Sequence, residues 1–420
     1  MSPTGRAASL LALAALTALI LPDLVAVTVV VAVAAATVTD AWVVRRVPVL
    51  DFTLPPILSR GVPTNLRITV VAGPHRLRIR QPSSPDLRIR PQEDDGGLEA
   101  EVVAVRRGQH RLPARATRST GPLGLGQWFH RTGEAHQVVV YPDLPAARRL
   151  ALEVRLGRFR GEGQRTRGPL GLGTEFESIR DYSPDDDIRQ VNWKATLRVG
   201  QPMSNTYRVE QDREVICLVD CGRLMGAPLP ALEAKSPATR LDIAVDAVAA
   251  MAAVADEIGD RIGVVAFHNK VIRLLQPRRG GAEAVLQAIH DLEHVATDSA
   301  YELAFQTIAH AKRAFVLILT DLLDESAARP LSDAMPILAR HHAVAVASVA
   351  DPAVEGALRL PEETPPALLR QAVAVQVVEA RERVTTVLSS YGVRVIEASP
   401  EGLSSACVGA YLTAKRRARL

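Results

Sequence analysis

The chain has 420 residues, of which 47% are apolar and only 4% aromatic, and a formal net charge of +4. That length accommodates two or three domains with cores of Ala, Val and Leu, and it excludes a single small stapled module. Three cysteines form no metal-ligand spacing; Cys217 and Cys221 would lie roughly 13 Å apart along one strand, beyond disulfide reach, which favours buried thiols in a reducing compartment.

Residues 7–44 are almost continuously apolar, broken at Pro22 and Asp23. The stretch Leu24–Val44 matches the ~20 residues that cross a bilayer core, whereas Ala7–Leu21 is short for a span. A two-helix membrane hairpin over 1–46 is the expectation, with a single uncleaved anchor or a signal peptide as alternatives. Arg6 before the first segment and Arg45 and Arg46 after the second would keep both ends, and the soluble body, in the cytoplasm.

From 47 to 145 the apolar period becomes two. The runs 66–72, 76–81, 87–91, 98–105 and 135–142 read as strands of a small antiparallel β-sandwich. Arg76, Arg78, Arg80, Arg88 and Arg90 would share one sheet face, either solvated or against anionic headgroups. No aromatics interleave them, so base stacking has no platform and nucleic acid is not an expected partner. The hexapeptide GPLGLG occurs at 121–126 and again at 168–173; both copies read as turns. Residues 146–212 are expected to be a linker followed by a distinctive charged segment.

That segment, GTEFESIRDYSPDDDIRQVNWKATLR over 173–198, is dense in ionisable groups and directly precedes the apolar run Val215–Val219. Ser183, Pro184 and the three aspartates 185–187 read as the cap and first turn of a helix, with Ile188, Val191 and Ala195 on its apolar stripe. The aspartate run lacks the spacing and distal Glu of a Ca²⁺ loop. From 213 to 420 strands and helices alternate, which implies a mostly parallel, doubly wound α/β sheet covered on both faces.

The segment 173–198, together with Tyr207, Glu210 and the strand ICLVDCGRLM, resembles the signature of the bacterial domain of unknown function 58 family, with Asp185 where that family usually has Gly. The resemblance runs over about 105–325. It implies a von Willebrand factor A-like domain over 213–420 and partnership with a MoxR-type AAA+ ATPase and other membrane-complex proteins. The implied partner surface comprises Glu175, Phe176, Arg180, Tyr182, Asp186, Asp187, Arg189, Trp193, Lys194 and Arg198.

The resembled fold also holds a metal-ion-dependent adhesion site, and its positions here are Asp220, Thr297 and Asp321. The loop reads Asp220-Cys221-Gly222-Arg223-Leu224, so both expected serine oxygens are missing, and no cofactor is expected, Mg²⁺ included. The chain carries no nucleophile elbow, Walker loop or His-Glu-x-x-His motif. His290 and His294, four apart, lack a supporting carboxylate and read as surface or capping residues. The expected function is a membrane-anchored, non-enzymatic assembly protein. The alternatives are a cell-envelope biogenesis factor or enzyme, for which Cys221 is the one candidate nucleophile, and a metal-dependent adhesion module.

Overall fold

The computed structural model describes residues 1–17, 23–159, 175–183, 186, 188–208, 212–229, 238–309, 311–321, 325–359 and 364–416. The chain divides into two compact units, Met1–Tyr141 and Pro142–Leu420.

The first unit opens with a two-residue strand, β1 (Ser2–Pro3), followed by helices α1 (Gly5–Thr17) and α2 (Asp23–Val43), which pack on each other. Among the described residues, α2 alone is long and apolar enough to cross a membrane; α1 is a shorter apolar helix. Strands follow: β2 (Val49–Thr53), β3 (Ile57–Ser59), β4 (Thr64–Ala72), β5 (Leu77–Arg80), β6 (Leu87–Arg90), β7 (Glu93–Asp95), β8 (Gly97–Ala104), β9 (Gly108–Leu112), β10 (Arg115–Thr120), β11 (Gly126–Thr132) and β12 (His136–Tyr141). They form sheets ordered β1-β11-β10-β5-β7, β2-β4-β8-β6 and β3-β12-β9. Alternate residues point inward, so Leu66 and Ile68, Leu77 and Ile79, Leu87 and Ile89, and Val138 and Val140 all enter one core.

This arrangement corrects one expectation. The two LRIR runs are β5 and β6, which pair into different sheets. Their leucines and isoleucines meet in the core, so Arg78 and Arg80 lie on the outer face of one sheet and Arg88 and Arg90 on that of another.

The first GPLGLG copy is the turn that fastens α2. Asp40, buried on the last turns of that helix, accepts backbone N–H groups of Leu123 (2.9 Å), Leu125 (2.8 Å) and Gly126 (2.9 Å). The chain comes so close that a Cβ on Gly126 would lie 2.4 Å from both Ala41 N and Thr37 O; only glycine fits. The N-terminus is tied to the same turn. β1 pairs with Gly126 and Gln127, and Thr4 Oγ1 donates to Gly124 O at 2.7 Å. Both ends of the α1–α2 pair are therefore anchored on the same β-unit.

The second unit begins with α3 (Leu144–Arg155), where a linker was expected. Asp143 caps it by accepting Ala146 N–H, and Ala147, Ala151 and Val154 bury against the helix that becomes α5. Small residues at i, i+4 and i+7 make that close packing possible. The second GPLGLG copy, 168–173, lies outside the described residues. The chain continues through β13 (Glu175–Asp181), α4 (Trp193–Val199), β14 (Met203–Arg208), β15 (Glu214–Asp220), α5 (Arg240–Glu257), β16 (Arg261–Phe267), β17 (Val271–Arg278), α6 (Ala282–Ile289) and α7 (Tyr301–Ile308). It ends with β18 (Ala314–Leu319), α8 (Glu325–His341), β19 (Ala343–Val349), α9 (Pro352–Arg359), α10 (Pro365–Ser390), β20 (Arg394–Ala398) and α11 (Leu403–Arg416).

The main sheet is ordered β17-β16-β15-β18-β19-β20, parallel except for the edge strand β17. Successive residues of β15 feed opposite layers. Val215, Cys217 and Val219 pack beneath α3, α5, α6 and α11, while Ile216 and Leu218 pack with residues of α7, α8 and α10. Helices thus cover both faces, as the near-continuous apolar strands require.

Candidate functional site

The chain leaves β15 for β16 on one side and returns to β18 on the other, so the strand order reverses between β15 and β18. In open α/β sheets the crevice at the carboxyl ends of such strands is where ligands bind. Asp220 is the last residue of β15, and Thr320 and Asp321 follow β18. The structure brings Asp220 and Thr297 to one small cavity of about 170 Å³, lined also by Arg223, Asp298, Ser299 and Tyr301.

Asp220 is 3% exposed and its carboxylate is filled by the protein's own donors. It accepts Gly222 N–H at 2.7 Å, Thr320 Oγ1–H at 2.6 Å, Tyr301 O–H at 3.1 Å, and the Ser299 hydroxyl. Burial and the neighbouring Asp220 charge push the Tyr301 phenol well above its ordinary value, so it stays a donor. Asp321, equally buried, pairs with the Arg240 guanidinium. Arg240 also donates to Asp351 Oδ2 at 2.9 Å. Burial lowers the Arg240 pKa and Asp351 opposes that shift. Arg240 is set in place by the start of α5, where Thr239 and Asp242 form a reciprocal capping box.

This donor set does not fit Mg²⁺. Hard-cation sites need several free oxygens, and here one carboxylate is saturated with hydrogen-bond donors while the other faces a fixed guanidinium. A Cβ on Gly222 would lie 2.1 Å from Ser299 Oγ, so the Ser299 hydroxyl from the neighbouring loop fills the space beside Asp220 that a side chain at 222 would need. Thr297 Oγ1 is buried with no hydrogen-bond partner among the described residues. At the rim, Arg223 Nε donates to Asp298 Oδ1 at 2.6 Å. Among the described residues, no three of His, Cys, Asp and Glu converge to hold a metal ion.

Where the sequence reads as one capped helix from Ser183, the only α-helix among the described residues here is the shorter α4, within an arm closed by two strands. β13 pairs antiparallel with β14, with a bulge between Phe176 and Ser178. Between them, a short 3₁₀ turn over 188–190 precedes α4. The helix cap is Asn192, whose Oδ1 accepts Ala195 N–H at 2.9 Å and whose amide donates to Asn205 at 2.8 Å. Gly200, at φ 78°, ends it. Asp186 is not a first-turn residue. It accepts Arg180 Nη2–H at 2.5 Å and Ser183 N–H at 2.9 Å, closing the turn after β13, and the Arg180 hydrogen bond holds its pKa below the ordinary value.

Of the surface residues expected here, Trp193, Lys194 and Arg198 are exposed on α4, and Tyr182 is half-buried. Glu175, Phe176 and Arg189 are placed by their backbone alone, and Asp187 lies outside the described residues. Sequence reasoning missed Leu197, 86% exposed one turn after Trp193, and it missed Arg240, Asp351, Ser299, Tyr301 and Thr320. Of these, only Asp351 carries a weak signal: like Asp220 and Asp321, it stands at the carboxyl end of an apolar strand.

None of the three cysteines is in a disulfide, and all three are buried. Burial pushes the Cys217 thiol up to about 12 and raises Cys407 further.

Residues 178–383 match the family model described as protein of unknown function DUF58. The match begins in β13, takes in the arm and the cluster around Asp220 and Asp321, and stops inside α10. No curated protein matches the chain. Among solved structures, one described as an uncharacterised membrane-spanning protein from Vibrio fischeri is similar at 14% identity, over 49% of this chain and 99% of that one. Its TM-score of 0.19 is too low to bear on the fold.

Proposed function

We propose that the chain is a membrane-anchored, non-enzymatic assembly protein, with a von Willebrand factor A-like head that captures a partner through the arm of β13, α4 and β14. The observation that carries this is Trp193, 65% exposed, beside Leu197, 86% exposed, on a helix held at both ends by Asn192 and Gly200. Large apolar groups at i and i+4 on a rigid exposed helix are the anchors of helix-in-groove recognition. Lys194 and Arg198 flank them with positive charge. A MoxR-type AAA+ ATPase is the partner implied by the family resemblance, and an acidic-rimmed groove is the surface this helix would suit.

In this reading the α1–α2 pair is a membrane hairpin, with both ends and the head in the cytoplasm. Arg6, Arg45 and Arg46 support that orientation, as does the anchoring of residues 2–4 and Asp40 on one β-unit. The enzyme alternative loses support because Cys221 is buried, and the adhesion alternative because Arg240 and four donors occupy the acidic positions.

The test is a crosslinking capture from native membranes with the C-terminally tagged chain. Wild type should recover a AAA+ ATPase in a nucleotide-dependent way, and Trp193→Ala with Leu197→Ala should lose it. Unchanged capture by that double variant would refute the arm as the docking element. A C-terminal reporter that proved extracytoplasmic would overturn the orientation.

A further inference from the structure

The first unit holds a larger cavity, about 500 Å³, at the end of α2. Its apolar wall includes Val43, Val47, Val49 and Ala72, and Arg46 and Arg76 also line it. The geometry points to this cavity as a docking site for the headgroup of an anionic phospholipid of the phosphatidylglycerol class, taken from the bilayer surrounding α2. This inference rests on α2 being embedded in a membrane.

Three further observations bear on the occupant. First, basic side chains from distant parts of the sequence gather at this end of the unit: at Gly124, φ 72°, an added Cβ would meet Arg76 Nη1 at 3.1 Å and Arg6 Nη1 at 3.5 Å. Second, the surroundings are apolar where a water-facing end of a β-unit would be polar. Trp42, Val43, Val47, Val49, Val71 and Leu123 are all exposed. Third, the Arg45 guanidinium lies 3.8 Å from the centroid of the Trp42 ring, the pairing of an aromatic-belt residue with a cation that suits a headgroup level.

A phosphodiester satisfies both halves of this site. Its oxygens match the planar donor forks of Arg46 and Arg76, and its acyl chains continue along the exposed valines of α2. A soluble anion would satisfy the arginines and leave the apolar wall wet. The cavity volume lies in the range of pre-formed small-ligand sites, and basic pockets beside membrane helices are where headgroups are held.

The experiment uses the full chain in neutral detergent, titrated with dioctanoyl phosphatidylglycerol, dioctanoyl phosphatidylcholine or inorganic phosphate and read by native mass spectrometry. Two variants accompany wild type. Arg46→Ala with Arg76→Ala removes charge, and Ala72→Trp fills the cavity while leaving both arginines. Wild type should bind the anionic lipid, with roughly 30-fold weaker binding in the double variant, on the order of fivefold per arginine, and a comparable loss in Ala72→Trp. Equal binding of the zwitterionic lipid, displacement by phosphate at similar concentration, or undiminished binding in both variants would each overturn the site. Alkaline carbonate extraction of native membranes separates the two readings. Release of the chain overturns the embedding, and this site with it; retention with variant-insensitive lipid binding overturns the site alone.

Discussion

Replacing Arg240 by Met leaves a buried acidic pair without its cation. The guanidinium is 3% exposed and spans Asp321 and Asp351, whose side chains are 1% and 20% exposed. Methionine matches the length of the stem but supplies no donor, so the buried Asp321 would keep its charge uncompensated. Breaking a buried pair from one side costs about 3–5 kcal/mol. For a unit of this size each kcal/mol lowers Tm by about 2–4 °C, giving a fall of about 6–20 °C. Differential scanning calorimetry of the full chain in detergent measures it. Replacing Asp321 by Leu in the Arg240→Met background should recover most of the loss, because a well-packed apolar pair is close to neutral relative to the ion pair. A single variant that falls by less than about 2 °C, or a double variant worse than the single, would refute the assignment of Arg240 as the charge that balances this crevice.

Asn192→Ala should cost about 1 kcal/mol locally, seen as faster hydrogen exchange in residues 193–199 and weaker partner capture, with the main unfolding transition unmoved. None of the three thiols should react with iodoacetamide at pH 8 until the chain is unfolded, since burial raises Cys217 to about 12 and raises Cys407 as well; mass spectrometry of native and denatured samples decides it. Gly126→Ala should destabilise the first unit by roughly 1–3 kcal/mol, because its methyl group would meet backbone atoms of α2 rather than a mobile side chain; calorimetry would show the loss. Asp186 has its folded pKa held below 3.8 by Arg180, so its contribution to the arm is present above that pH and lost as pH falls through the folded value. Hydrogen exchange across 178–208, corrected for intrinsic rates, should rise only on the acid side, and Asp186→Asn should abolish that rise.

Much of the α/β unit was readable because each element carries its own pattern. Apolar strands ending in Asp220 and Asp321, and helices rich in Ala and Val between them, announce a sheet covered on both faces without reference to anything distant. The four alternating runs from 66 to 105 announced the β-unit in the same way. The exceptions are instructive. Ser183, Pro184 and the following aspartates carry every local mark of a helix start, yet the pairing of β13 with β14 outweighs them and moves the cap nine residues on, to Asn192. The α3 helix was concealed by arginines and glycines around it, and its identity as packed structure rests on three small residues that fit against α5.

The sequence alone thus determined the apolar N-terminal pair, the β-rich unit, the alternating sheet and the absence of side-chain oxygens at 222 and 224, because all of these are set by neighbours within a few residues. Only the tertiary structure decided which groups meet the two buried carboxylates. Arg240 and Ser299 reach Asp321 and Asp220 across some 80 positions of chain, and no local period records that. The same is true of the two arginine-bearing strands, whose identical alternation fixes which residues point inward but leaves open which sheet each one joins.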